Sequence, residues 1–391
     1  MAKGHIRQRG KNSWELKFDA GRDPATGLRK TQYVSFRGSK REAQIALAKQ
    51  IAAVSEDTYV EPTKVTVAAW VRERIDIWEA KGDITARTSQ RYRQLCENQI
   101  VPFIGGTLLQ KLTTKNVEVW HLTLGESGRR SGRGGVTAQT ILHAHRVLAA
   151  ALRDAQRHGS VHRNVAQLMP PPTVEDKKAT ILKETDIGRL QVELRGHNIY
   201  APAIVALYTG MRLGEVLALR WCHVDLDQAV ANVCEALEET KAHGLRVKKP
   251  KNHLCREIDL PDIVVETLRD HRRQQLELRL QLGIGKMPDD AVVFPNIEGG
   301  HQWPRAVSQA WGRTAERLGI PDVTFHGLRH THASQLIDAG LDVVTVSSRL
   351  GHKDANVTLK IYAHVFERAD KKNKRKASEA INDALAGASG S

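Results

Sequence analysis

A phenol, two guanidiniums and two imidazoles recur in the second half of this chain in short, well-defined contexts. Arg212 lies in Thr209-Gly210-Met211-Arg212-Leu213-Gly214-Glu215, and His326 and Arg329 share His326-Gly327-Leu328-Arg329-His330-Thr331. His352 closes Leu350-Gly351-His352, and Tyr362 follows in Lys360-Ile361-Tyr362-Ala363-His364. These are the groups that in-line attack on a phosphodiester requires. Guanidiniums, which do not deprotonate, hold the non-bridging oxygens and the charge that builds on them. Imidazoles move or donate protons, and the phenol is the nucleophile. A phenol titrates near 10, so it needs nearby positive charge or a base before it attacks. Of the six tyrosines, Tyr33 falls on a strand pattern, Tyr59 near a connector, Tyr92 on a helix, and Tyr200 and Tyr208 in an apolar helix, which leaves Tyr362. Glu215, one helical turn after Arg212, is read as the group that orients that guanidinium. His326 and His330 stand at i and i+4, a spacing that can hold a metal, but Arg329 between them repels a cation and the glutamate of H-E-x-x-H is missing. No metal is expected, and His330, His332 and His364 are read as structural or supporting groups.

The order and wording of these motifs resemble the tyrosine recombinase (phage integrase) family. The resemblance implies that Tyr362 attacks DNA, that Arg212 and Arg329 clamp the scissile phosphate, that His326 is the acid–base histidine near the tyrosine, and that His352 donates to a phosphate oxygen. It also implies a lysine, on the turn between two strands of the catalytic sheet, that protonates the leaving 5′-oxygen. In Val247-Lys248-Lys249-Pro250-Lys251 through Arg256 and Leu260, the register puts Lys251 at that place, with Lys249 as the alternative, because the wording departs from the commoner Lys-Thr or Lys-Gly. Such chemistry keeps the phosphodiester energy in a 3′-phosphotyrosyl link. It uses no cofactor, neither metal nor nucleotide, and no Walker-type loop occurs in the sequence.

These groups need elements to position them. The fold class expected is multidomain and mainly α. A small α+β unit occupies residues 1–60, a four-helix domain 64–169 that resembles the family's core-binding domain, a linker 170–179, an α+β catalytic domain with a small antiparallel sheet 180–370, and a tail 371–391 whose short helix the resemblance implies packs on a neighbouring protomer. Trp14, Leu16 and Phe18 alternate with charged residues at strand period, Asp23-Pro24-Ala25-Thr26-Gly27 is a turn signal, and Thr31–Phe36 is the returning strand. Ser39-Lys40-Arg41-Glu42 has capping-box spacing and opens a helix. This unit resembles the arm-type DNA-binding domain of phage integrases, with Arg7, Arg9, Lys11, Lys17, Arg29, Lys30 and Arg37 as its phosphate contacts. Helical spacing marks segments from Val67, Thr88, Asn116 and Thr137, whose tryptophans are read as core and not as base-stacking platforms. Pro170-Pro171-Pro172 is the clearest boundary. Beyond it strands are predicted at Ala229–Cys234, Leu245–Lys249 and Arg256–Leu260, and helices at Glu184–Leu194, Ala201–Tyr208, Leu213–Leu219, Ile263–Leu282, Trp303–Leu318, His326–Ala339 and Asp342–Leu350.

The 391 residues suffice for two or three cores, and a hydrophobic share of 41% with 26% charged describes a soluble protein. A net charge of +15 favours a polyanion, and the basic run from Lys3 to Arg41 supports that. The sequence has no membrane-length apolar run and Met1–His5 has no signal-peptide core, so a cytoplasmic protein is expected. Cys96, Cys222, Cys234 and Cys255 form no C-x-x-C pair and are read as buried or half-buried free thiols. The partners implied are double-stranded DNA with core and arm sites, three further copies in a homotetramer, a host DNA-bending protein and a directionality factor. A type IB topoisomerase and a regulator without catalysis are the alternatives.

Overall fold

The computed structural model describes residues 4–22, 27–56, 58–130, 132–174, 180–248 and 255–370. Lys249, Lys251 and the 371–391 tail lie outside the described residues. The chain divides into two compact units, Met1–Glu175 and Asp176–Ser391.

The first unit carries two separate cores. Strands β1 (Gly4–Gly10), β2 (Ser13–Arg22) and β3 (Arg29–Arg37) form an antiparallel sheet in the order β1-β2-β3. Its inner face sets Leu16 and Phe18 against Ala43 and Leu47 of α1 (Lys40–Ser55). The capping box is present: Ser39 accepts from the Glu42 amide while the Glu42 carboxylate takes the Ser39 amide at 2.7 Å.

The helical part comprises α2 (Val67–Ala80), α3 (Ala86–Leu95) running through a π-turn at Cys96–Ile100 into the short α4 (Val101–Ile104), α5 (Thr114–Ser127) and α6 (Ala138–Arg157). Thr66, Thr85, Thr113 and Thr137 cap α2, α3, α5 and α6 by accepting from backbone amides of the first turn, a frequent threonine role. Trp70 and Trp120 are core, as their spacing indicates. Their indole N–H groups donate to the carbonyls of Ala151 at 2.8 Å and Gln99 at 2.6 Å.

The second unit begins with α7 (Glu184–Glu193), the almost wholly buried α8 (Tyr200–Thr209) and α9 (Leu213–Ala218). Strands β4 (Val224–Asp225), β5 (Val230–Val233), β6 (Ala236–Thr240), β7 (Gly244–Lys248) and β8 (Arg256–Asp259) fall into two small antiparallel sheets, β4-β5-β8 and β6-β7, where the sequence suggests one. Helices α10 (Asp262–Gln281), α11 (Pro304–Arg317), α12 (Phe325–Asp338) and α13 (Val343–Leu350) follow, and a further helix, α14, covers 355–370. The large core of this unit runs from Leu182 to Leu328. A smaller one joins Ala333, Ile337, Val346 and Leu350 to Tyr362 and Val365, so α14 is anchored by the same face that carries the tyrosine.

Two cysteines depart from the free-thiol expectation. Val233 pairs with Arg256 across β5 and β8, so Cys234 and Cys255 are the next opposed pair, and they are joined in a disulfide with Cα atoms 4.4 Å apart. Cys96 is free and buried, as expected, while Cys222 is free but exposed.

Candidate active site

Helix ends build the site. Gly210 ends α8 with φ +68°, and Gly351 ends α13 with φ +66°, both left-handed. A side chain at Gly210 would collide with His332 and Leu350, and one at Gly351 would press on the Arg256 guanidinium, so glycine is needed at both for space as well as conformation. Each glycine presents its carbonyl to an arginine. Arg329 Nη1 donates to Gly210 O at 2.7 Å, and Arg212 Nη2 donates to Gly351 O at 3.1 Å.

Arg212 stands at the N-cap of α9, where its own amide donates to Glu215 Oε2 at 2.9 Å and its Nη1 donates to Glu215 Oε1 at 2.9 Å. Arg256, at the start of β8, grips the same carboxylate with both terminal nitrogens, at 3.1 and 2.6 Å, and its Nε donates to Arg349 O at 3.3 Å. Burial alone would raise the Glu215 carboxyl. The hydrogen bond and charge of Arg256, then the charge of Arg212, outweigh it and hold the group below its ordinary value. Glu215 is therefore a fixed anion that orients two guanidiniums.

Arg329 is 2% exposed, and among the described residues its buried Nη2 has no hydrogen-bond partner. Burial, then the nearby Arg212, depress its pKa, yet a guanidinium stays charged at neutral pH. A buried unpartnered donor on a cation is costly unless something anionic completes it. The described residues thus gather Arg212, Arg256 and Arg329 around a single hydrogen-bonded carboxylate, Glu215.

Tyr362 is 2% exposed, and burial pushes its phenol up to about 12 against the opposing charge of Arg329. Among the described residues its hydroxyl meets His330 Nδ1 at 2.7 Å. His326 stands one turn before His330, its ring edge-to-face on that imidazole with centroids 4.7 Å apart. It is His330, and not His326, that touches the tyrosine. His326 keeps a solvent-exposed edge. The protein packed on its inner side, then His330, Arg329 and Arg212, lower its pKa, and the open edge softens the effect of burial. His352 contacts Thr358 Oγ1 through Nδ1 at 2.7 Å, so among the described residues Nε2 has no partner. Burial, then Arg329 and Arg212, push it down to about 4.

The structure thus brings together Arg212, Glu215, His326, Arg329, His352 and Tyr362. Sequence reasoning missed two participants. Arg256 marks the register of a predicted strand in the sequence, and its charge at the start of that strand is the signal of a further role. His330 lies on the His326 face of α12 by its i+4 spacing, and that spacing prompted a metal test and nothing further.

The seven N-terminal cations divide by strand parity. Arg7, Arg9, Lys17, Arg29 and Arg37 are exposed on the face of the sheet opposite α1, and Lys11 sits in the β1–β2 turn. Lys30 has the other parity and is ion-paired with Glu61, so it does not share that face. Arg9 and Arg29 pair with Glu15 and Asp19, each at 2.7 Å.

A site of this kind, on a helical domain with small antiparallel sheets, is that of a tyrosine recombinase. Residues 179–368 match the phage integrase family, so the second unit carries a domain of that family. A XerC-like tyrosine recombinase of Caldanaerobacter subterraneus subsp. tengcongensis is 24% identical over 96% of this chain and 97% of its own length. An integrase of Streptomyces ambofaciens is 26% identical over 89% and 88%. In fold the chain is similar to the Tn1549 transposon integrase in complex with circular intermediate DNA, with TM-score 0.66, 19% identity, and 80% of this chain and 99% of that one covered. It is also similar to a lambda integrase tetramer bound to a Holliday junction, with TM-score 0.55, 18% identity, and 90% and 96% covered. Among the described residues no helix is long and apolar enough to cross a membrane.

Proposed function

We propose that this enzyme integrates or excises a phage or other mobile element by cutting each DNA strand with Tyr362 and holding it as a 3′-phosphotyrosyl link. Arg212 and Arg329 clamp the scissile phosphate, and His352 donates its Nε2–H to a non-bridging oxygen. Glu215 and Arg256 keep Arg212 aimed. His326, at the solvent-exposed mouth, serves the leaving group or a phosphate oxygen. Lys251, with Lys249 as the alternative, gives the leaving 5′-oxygen its proton.

One observation supports the reading most: a buried guanidinium nitrogen on Arg329 that is unpaired among the described residues, beside a second arginine and a buried phenol. Preorganised positive charge that lacks its anion suits a phosphoryl transition state. By likeness to the lambda integrase tetramer bound to a Holliday junction, four copies would pair two sites and exchange strands in two steps. The open basic face of the N-terminal sheet would bind arm sites, which favours an integrase over a DNA relaxase. A host DNA-bending protein and a directionality factor would complete the assembly.

The test uses nicked suicide duplexes from the ends of the element that carries the gene. The wild-type chain should form a covalent adduct at one phosphate, and Tyr362→Phe should bind the same DNA and form none. An adduct trapped with the Phe variant would remove Tyr362 from the role. Relaxation of supercoiled DNA without paired sites would favour the topoisomerase alternative.

A further inference from the structure

The contact between His330 and Tyr362 bears on a step that the arginines do not explain. A phenol pushed up to about 12 carries its proton at neutral pH, and in a buried position that proton needs an acceptor. Among the described residues the acceptor at hand is His330 Nδ1, 2.7 Å away. Were Nδ1 instead the donor, the phenolic hydrogen would be buried without a partner. The satisfied arrangement therefore has the lone pair on Nδ1 and the hydrogen on Nε2. Burial and the Arg329 charge keep this imidazole neutral, as an acceptor must be. His326 packs edge-on against His330 and limits its freedom to rotate away.

We propose that His330 is the catalytic base that takes the proton of Tyr362 during strand cleavage and returns it during rejoining. As Tyr362 Oη forms its bond to phosphorus, the O–H bond breaks and the proton passes to His330 Nδ1, giving an imidazolium. The bond from phosphorus to the 5′-oxygen breaks, and that oxygen takes its proton from a different group. In the reverse step a 5′-hydroxyl attacks phosphorus and returns its proton to the group that supplied one in cleavage, the phosphotyrosyl bond breaks, and the imidazolium hands its proton back to Tyr362 Oη. The imidazolium beside Arg329 is disfavoured in the free enzyme, and the growing negative charge on the phosphoryl oxygens offsets that repulsion only in the transition state. This assignment rests on the recombinase reading above and separates the work of the two histidines of α12.

The experiment measures single-turnover cleavage by the full chain on the suicide duplex, with either an ordinary 5′-oxygen or a bridging 5′-sulfur at the scissile position. Sulfur leaves without protonation, so it rescues loss of the acid and not loss of the base. His330→Gln and His330→Ala should cleave about 10²–10³-fold more slowly at neutral pH, within the range of general base catalysis. Sulfur should not restore them, but rate should climb with pH as the phenol ionises by itself. Lys251→Ala, which lacks the acid, should retain most of its rate on the sulfur substrate. Equal DNA retention in gel shifts and an unchanged Tm for His330→Gln exclude simple unfolding. A His330→Gln rate equal to wild type, or full rescue of His330→Ala by sulfur, would overturn the assignment. Failure of the wild-type chain to form an adduct would instead overturn the recombinase reading and carry this one with it.

Discussion

The open face of the N-terminal sheet and the pocket around Tyr362 both present arginines, and they hold them in opposite ways. On the sheet, Arg9 and Arg29 are solvent-exposed and lean on Glu15 and Asp19, partners that sit on the same surface. Such pairs contribute little, typically under about 1 kcal/mol, and exchange readily for phosphate. In the pocket, Arg329 is buried on a backbone carbonyl, and Arg212 is fixed by Glu215 and a second carbonyl. The first surface can adapt to DNA. The second must already have the geometry of the reaction, because misplaced donors lose most of their catalytic value. Capture and chemistry therefore draw on the same side chain under different constraints.

The sharpest way to break this contrast is inside the pocket. Arg329→Ala should lower cleavage by at least about 10²–10³-fold, as loss of a preorganised donor does, with DNA retention nearly unchanged. Arg329→Lys should not rescue it, since an ammonium cannot reach Gly210 O and a phosphate as a planar fork does. Wild-type turnover in either variant, read by single-turnover adduct formation, would take Arg329 out of the site.

Gly351→Ala tests whether the backbone holds Arg212. It asks a side chain to adopt φ +66° and to fit 3.0 Å from the Arg256 guanidinium, so a stability loss of about 1–2 kcal/mol is expected. Cleavage should fall by about tenfold, measured alongside denaturant melts. A stable variant with full activity would show that the carbonyl is dispensable.

Acid should distinguish the regions next. Burial, then Arg349 and Arg329, push His332 down to about 3, and His352 is held at about 4. Unfolded histidine titrates near 6.5, so from there down to about pH 4 the unfolded chain takes up protons that the folded one refuses. Stability of the second unit should decline as pH drops through that window and stay flat above it. Tm measured for this unit between pH 7 and pH 4.5 checks the sign, and replacing His332 should flatten the curve.

The smallest effects belong to the sheet. Arg7, Lys17 and Arg37 changed together to Ala should leave core-site cleavage intact. Arm-site binding should weaken, with its log–log salt slope shallower by about 0.9 for each lost contact. Lys30→Ala, on the other face, should leave that slope unchanged, which makes it the matched control in the same titration.

Much of this arrangement is legible in the sequence, because its motifs and its elements are both local. Arg212, Arg329 and His352 sit in short runs at or near helix boundaries, Tyr362 sits in a short run of its own, and the apolar periodicity of α6 and the almost wholly apolar run of α8 leave little ambiguity. What escapes is set by pairing across distance. Strand β1 reads Gly4-His5-Ile6-Arg7-Gln8-Arg9-Gly10, with one large apolar residue, and forms because β2 offers it a register. The strand β6 and the helix over 355–370 also lack a decisive pattern of their own. The disulfide follows from the β5–β8 register: with strands placed at 229–234 and 256–260, Cys234 and Cys255 are already opposite, while their spacing along the chain says nothing. His330 shows the same limit. Its place at the tyrosine depends on how α14 packs on α12, which no motif records.

Gly210 and Gly351 leave their helices in the left-handed conformation, and each turns its own carbonyl dipole onto an arginine. For Arg329 the partner is a partial charge built into the backbone, not a mobile carboxylate. An incoming phosphate therefore has no ion pair to displace there, and dissolved salt has little access to that contact. Loading of DNA onto the enzyme should respond steeply to ionic strength, while the rate of strand cutting, once the DNA is seated, should barely notice it.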